Sequence, residues 1–330
     1  MTREVIVRED ADEGFYQNHV QSDRVRLQIE EGFDFVRRIQ STATYRTYHY
    51  YNDNLPTKAE LENAGLEDSA ALIKVNDHST AGTAIIISNN RGRLALLTAA
   101  HTVSYPDTIW HYAEKPSRGS DSGNSPVKAV SVRDMLHQFV FLESDIALIE
   151  SVVLDDSKDL AVMRSRSTDR NLEDMSPVTL PAGDVGSVKT GDRFYALGFP
   201  KGVRMVTQGS ISRSGKSNRS IVLDMPMNRG FSGGAVFAVR SDGSGLQWIG
   251  MITSAMGDQV TMLTPGDRPV ADYDPELPYE GELFISTQTR IFYGITWSVD
   301  IDQIREFLLS NFDTFNEHNI DMPEFVDEKE

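Results

Sequence analysis

The sequence predicts an all-β protein, a barrel or sandwich rather than an alternating α/β fold. Three observations point there. Short runs of β-branched and aliphatic residues recur along most of the chain, turn-forming clusters separate them, and helical spacing of apolar residues shows only near the two ends. No internal repeat of fixed period is present.

Residues 1–68 read as a polar N-terminal leader. Within it Val25, Ile29, Phe33 and Val36 fall at helical spacing and predict an amphipathic helix over Ser22 to Gln40. Such a helix either lies on the body of the protein or serves as a tether or as an oligomerisation segment that joins copies into a homo-oligomer. Residues 69–155 form a first β-rich domain, with strands at Leu72–Val75, Thr83–Ser88 and Leu94–Thr98, and Asn89-Asn90-Arg91-Gly92 as a hairpin turn. Phe139–Leu142 and Ile146–Val153 continue the set. The stretch Asp155–Ser176 is rich in Asp, Ser and Arg and poor in large apolar residues, which reads as an interdomain linker over 156–180. A second β-rich domain, 181–313, contains runs at Arg193–Gly198, Met205–Ser212, Ser220–Leu223, Ala235–Val239, Trp248–Ser254 and Thr296–Val299. It closes with a helix capped by Asp300, whose apolar face holds Ile301, Ile304, Phe307, Leu308 and Phe312. Residues 314–330 are an acidic tail.

Composition narrows the chemistry. The chain has 330 residues, 39% of them hydrophobic, and a formal net charge of −17. That charge argues against nucleic acid and anionic membrane as partners, both of which need clustered cations. With no cysteine, disulfides, thiolate catalysis and Cys-based zinc sites are excluded. No apolar run approaches the roughly 18 residues of a membrane span, and the first thirty residues hold no apolar signal-peptide core. The expected location is cytoplasmic if the chain is complete as given, and periplasmic or extracellular if a signal segment was removed.

Any covalent chemistry must therefore use a hydroxyl, amine or carboxylate, and one pentapeptide stands out: Gly230-Phe231-Ser232-Gly233-Gly234. A nucleophilic serine needs an exposed hydroxyl and backbone N–H groups aimed at the developing oxyanion, and flanking glycines let the backbone turn tightly enough to supply both. Leu97-Thr98-Ala99-Ala100-His101 places a histidine straight after an apolar strand. Ser144-Asp145-Ile146-Ala147-Leu148-Ile149 places an acid at the mouth of another. Their order along the chain is His, Asp, Ser. His19, His49, His78, His111, His137 and His318 lack such company, and no pair shows metal-ligand spacing, so neither a metal nor a cofactor is expected.

Thr98-Ala99-Ala100-His101, Asp145-Ile146-Ala147-Leu148 and Asn228-Arg229-Gly230-Phe231-Ser232-Gly233-Gly234-Ala235 resemble the trypsin-like serine protease superfamily, closest to its bacterial HtrA (Deg) branch. The likeness includes Gly82-Thr83-Ala84, Val188-Lys189-Thr190-Gly191-Asp192, Gly198-Phe199-Pro200-Lys201-Gly202 and Val206-Thr207-Gln208-Gly209-Ser210-Ile211-Ser212, and so runs from about Ala71 to Phe312. It implies two six-stranded antiparallel Greek-key β-barrels with the active site in the cleft between them. It further implies a serine endopeptidase acting on polypeptides, with Ser232 as nucleophile, His101 as general base, Asp145 as the carboxylate orienting it, and the N–H groups of Gly230 and Ser232 as oxyanion hole.

The same resemblance puts Pro226, six residues before the nucleophile and flanked by Met225 and Met227, at the floor of the primary specificity pocket. It makes Ile252-Thr253-Ser254-Ala255 the strand that binds substrate backbone. No acid or histidine stands at these places, so a small or medium apolar residue is expected before the scissile bond. Departures from the family are equally plain. HtrA proteins usually carry a PDZ domain, and fewer than twenty residues follow Phe312. Phe231 stands where zymogen trypsins hold an acid. Gly257 to Arg290 is a long acidic insertion. The alternatives are a catalytically silent binding or chaperone-like protein on the same fold, and a non-peptidase esterase.

Overall fold

A computed structural model describes residues 22–51, 55–113, 124–143, 145–168, 170–213, 220–265, 276, 281 and 283–326. Two antiparallel barrels carry the chain; among the described residues the α-helices lie near its ends, save one short α-helix between strands. Helix α1 (Asp23–Phe35) is capped by the Ser22 hydroxyl, which accepts from the N–H of Val25 at 3.2 Å. Its apolar face is spent within the chain: Val25, Ile29 and Phe33 are buried in the main core, and Phe33 meets Phe199 edge-on with centroids 6.0 Å apart. Packing on the body is thus the use the structure makes of this helix.

The first barrel is built from β1 (Val36–His49), β2 (Leu72–Asn90), β3 (Arg93–Thr98), β4 (Thr108–Tyr112), β5 (Val127–Phe141), β6 (Ile146–Asp155) and β7 (Leu160–Ser165). The sheet runs β1-β2-β3-β7-β6-β5-β4, and pairing of β1 with β5 closes six of these strands into a ring, leaving β4 outside it. Helix α2 (Lys58–Ala64), with a Thr57/Glu60 capping box, covers a small satellite core of Tyr48, Tyr50, Leu61, Val127 and Val130.

Two strands of this barrel lie outside the boundaries the sequence predicts. β1 falls in the expected leader, because the helical spacing carried the prediction to Gln40 whereas the helix stops at Phe35. β7 falls in the expected linker, and Leu160, Ala161, Val162 and Met163 are fully buried there. The predicted runs Leu72–Val75 and Thr83–Ser88 are the two ends of one strand, the former exposed and the latter in the core.

The second barrel closes in the order β10-β13-β12-β11-β8-β9, from β8 (Arg193–Gly198), β9 (Met205–Arg213), β10 (Ser220–Asp224), β11 (Ala235–Val239), β12 (Leu246–Pro265) and β13 (Leu283–Asp300). The acidic insertion is in part a continuation of the β12–β13 ladder, from Gly257↔Ile291 to Pro265↔Leu283. Of its acids, Asp267, Asp272, Asp274, Glu280 and Glu282 lie outside the described residues. Helix α3 (Ile301–Ser310) follows β13, capped by Asp300 Oδ1 accepting from the N–H of Gln303 at 2.8 Å, and buries Ile301, Ile304, Phe307 and Leu308. Phe312 begins α4 (Phe312–Glu317) and is 47% exposed, so it lies outside that apolar face.

One residue stitches the barrels together. Thr83 on β2 donates its N–H to the carbonyl of Ser232 at 2.8 Å and its hydroxyl to the carbonyl of Gly230 at 2.7 Å. The same hydroxyl accepts from the N–H of Phe199 at 2.9 Å. All three partners belong to the second barrel, and Thr83 is fully buried.

Candidate active site

β3 ends at Thr98, and a single turn of 3₁₀ helix, Ala100–Thr102, delivers His101 to the seam between the barrels. Its Nε2 lies 3.0 Å from Ser232 Oγ, and its Nδ1 lies 2.8 and 3.0 Å from the carboxylate oxygens of Asp159. Asp159 Oδ1 also accepts the backbone N–H of His101 at 3.0 Å, and the Asp159 carbonyl accepts from the N–H of Ala100 at 3.2 Å. With a carboxylate on Nδ1, the neutral ring carries its proton there and leaves Nε2 free to accept from the serine.

The sequence points to Asp145 as the acid; the structure brings Asp159 to His101 instead. Asp145 closes the turn between β5 and β6: its Oδ1 accepts from the N–H of Ile146 at 2.7 Å and its carbonyl from that of Leu142 at 2.9 Å. The reason is lateral order. β3 is hydrogen-bonded to β7, with Thr98 opposite Ala161, so the start of β7 lies beside the end of β3 and hence beside His101. β6 pairs with β5 and β7, one strand further away. The signal that distinguishes the two runs is present in the sequence. Asp159-Leu160-Ala161-Val162 repeats the Asp-apolar-Ala-apolar pattern and continues apolar to Met163, as a strand buried on both faces must. Ile146 and Leu148, in contrast, are 49% and 43% exposed.

Ser232 sits in the turn before β11 and is 6% exposed. Gly233, at φ +86°, has no room for a side chain: a Cβ there would lie 1.8 Å from the Thr83 carbonyl oxygen. Gly230, at φ +102°, is pressed against the Phe199–Lys201 turn, a Cβ there falling 2.6 Å from the Phe199 oxygen. Among the described residues, neither the N–H of Gly230 nor that of Ser232 has a protein acceptor. Phe231 between them is 1% exposed and fills the core.

Residues 82–246 match the trypsin-like peptidase domain, which is half of the chain. The chain belongs to the trypsin-like peptidase family. It is similar to solved structures of the HtrA-type protease AlgW. A variant of AlgW with a decapeptide is 18% identical, with a TM-score of 0.46, covering 89% of this chain and 67% of that one. AlgW with a tripeptide is 20% identical, with a TM-score of 0.41, covering 84% and 61%. The chain thus spans about two thirds of the length of these structures or somewhat less. No curated protein matches the sequence.

In this trypsin-like peptidase the predicted substrate strand is the part of β12 next to Ser232. Ile252 exchanges backbone hydrogen bonds with the Gly233–Gly234 turn, accepting from Gly233 at 2.7 Å and donating to Gly234 at 2.8 Å. The β11 ladder ends at Met251, so the edge beyond, along Thr253, Ser254 and Ala255, has no paired strand among the described residues. On the other edge Ser254 and Ala255 pair with Trp297 and Thr296 of β13. Pro226 is exposed, whereas Met225 and Met227 on either side of it are buried. Thr296, which sequence reasoning missed, is fully buried opposite Ala255 and donates its hydroxyl to the Met225 carbonyl at 3.1 Å. Among the described residues no group of three or more His, Asp or Glu is placed to hold a metal, and no helix is long and apolar enough to cross a membrane.

Proposed function

We propose that the chain cleaves polypeptides by acyl transfer through Ser232, with His101 as base and Asp159, not Asp145, as the carboxylate that orients it. The observation that carries the reading is the His101 imidazole, held between the Asp159 carboxylate at 2.8 Å and Ser232 Oγ at 3.0 Å. His101 takes the serine proton as Oγ attacks the peptide carbonyl and gives that proton to the leaving amine; a water repeats the cycle to release the acyl group. Asp159 holds the productive tautomer and stabilises the imidazolium. The free N–H groups of Gly230 and Ser232 receive the oxyanion, each such donor being worth about 2.7–4 kcal/mol in the transition state.

The acyl half of the substrate adds to the open edge of β12 along Thr253–Ala255, with main-chain hydrogen bonds supplying affinity. Its side chain before the scissile bond meets Met225, Pro226, Met227 and Thr296, a wall without charge. A small or medium apolar residue fits; burying a Lys or Arg head there leaves it without a partner. The test is Ser232→Ala with a fluorophosphonate probe. The parent should label on Ser232 and cleave casein, and the variant should do neither while keeping its melting temperature. Undiminished hydrolysis by the variant overturns the reading.

A further inference from the structure

We propose that this peptidase selects substrates carrying aspartate or glutamate in the first two or three residues after the scissile bond, recognised by Lys201, Arg229 and Arg38. The inference rests on the acyl-transfer reading above and adds the substrate class for the leaving-group half of the cleft.

Ser232 is flanked on one side by β12 and on the other by β2, whose Thr83 binds the Ser232 carbonyl at 2.8 Å. If the acyl half of the peptide lies along β12, the half beyond the cut runs away from it, over β2, β1 and the 199–204 turn. Cations crowd that side. Arg38 is the β1 residue opposite Thr83. Its guanidinium lies 4.1 Å over the Phe141 ring and so close to Gly202 that a Cβ there would fall 3.0 Å from Cζ. Lys201 immediately precedes Gly202 and donates its N–H to the carbonyl of Arg229 at 2.8 Å, and Arg229 directly precedes Gly230. Arg204 lies three residues further on, its guanidinium 4.0 Å over Phe33.

Lys201, Arg229 and Arg204 are exposed and Arg38 half-buried. Among the described residues none of the four has a carboxylate within 4.0 Å, whereas Arg46, Arg164 and Arg240 elsewhere each do. The buried Nε of Arg38 has no hydrogen-bond partner there either. On this side of the molecule Asp34 and Glu143 act on Arg37. A chain with a net charge of −17 therefore keeps four cations without a carboxylate in direct contact, among the described residues, on the side of its nucleophile away from β12. Left so, they repel one another and any basic leaving segment, and an acidic segment relieves that repulsion. Lys201 also holds φ +53°, a strained value for a side chain of its kind, which fixes the turn against Gly230.

The experiment uses quenched fluorescent peptides with one apolar residue before the cut and either two glutamates, two glutamines or two lysines after it. The readout is the ratio of kcat/KM between them. Exposed charge pairs are each worth a few-fold, so glutamate should be preferred over lysine by about tenfold or more at low salt. The ratio should shrink between 0.05 and 1 M NaCl, as the screening length falls to about 3 Å. In Lys201→Gln/Arg229→Gln the ratio should drop to about twofold, whatever happens to the absolute rate. A ratio near one, or favouring lysine, in a parent that cleaves and labels overturns the proposal and spares the triad. A high ratio unchanged in the double variant overturns the assignment to these residues. Failure of the parent to cleave or label at all sinks the acyl-transfer reading instead.

Discussion

Asparagine at position 159 separates the shape of the site from its proton inventory. The substitution is isosteric, and Asn Oδ1 can still accept the His101 backbone N–H that Asp159 accepts at 3.0 Å, so the turn is kept. The NH₂ now faces Nδ1, which must become the acceptor. The imidazole proton is thereby driven onto Nε2, the nitrogen 3.0 Å from Ser232 Oγ, where it blocks removal of the serine proton. Loss of the productive tautomer costs about 10⁴-fold in kcat, or about 5 kcal/mol of transition-state stabilisation. Asp145→Asn is the control: asparagine keeps an acceptor for the Ile146 N–H that Asp145 binds at 2.7 Å, and kcat should stay within about twofold. Both variants are compared by kcat/KM on a peptide with valine before the cut and by fluorophosphonate labelling rate, after thermal melts confirm that each is folded. If Asp145→Asn is the more damaging of the two, the lateral-order argument for Asp159 is wrong.

Thr83→Val keeps shape but deletes the hydroxyl shared by Gly230 and Phe199, and leaving those buried groups unpaired should cost about 1–3 kcal/mol in urea unfolding. An unchanged midpoint would remove Thr83 from its bridging role. A cleavage profile on a peptide library should show Val, Ala, Ile, Leu or Met before the cut; a dominant charged residue there would refute the pocket while leaving the triad standing. Burial, then the nearby His49 and His78, hold His111 below the ordinary histidine range, so the native state favours its neutral ring. The unfolded chain then binds the proton first, and stability is lost as pH falls below about 6.5. His111→Gln should therefore lose less melting temperature than the parent between about pH 7.5 and 5; equal losses would show that His111 contributes nothing to the pH dependence.

Much of the second barrel was legible because its strands are written in apolar residues: Arg193–Gly198 and Ala235–Val239 are compact hydrophobic runs with turn residues around them. β1 was not, for a reason that can be stated residue by residue. Its inward positions include Ser41, Ala43 and Thr47, and the two hydroxyls are satisfied by Gln138 at 3.3 Å and Ser131 at 2.8 Å. With Ser41, Ala43 and Thr47 inward and Thr42 and Thr44 outward, the middle of the strand carries little hydrophobic period, so the partner strands reveal which face is inside. β7 was hidden by its neighbours, four apolar residues between a polar turn and an Arg-Ser-rich stretch. For the site, Ser232 and His101 were marked by their own local sequence. The acid was not, since two runs share one pattern and only the longer apolar continuation after Asp159, together with strand order, separates them. The β12–β13 ribbon reads as an insertion in the sequence because its many acids mask the alternation of Val260, Met262 and Thr264.

The two ends of the His101–Ser232 hydrogen bond stand 131 residues apart, on different barrels. On a ribosome adding about 5–20 residues per second, the histidine emerges roughly 7–25 s before the serine. Even then the second ring stays open until β13, ending at Asp300, has paired with β10 and β12. A chain under synthesis therefore holds one half of its own scissors. On the acyl-transfer reading, it cannot cut before that second ring has formed.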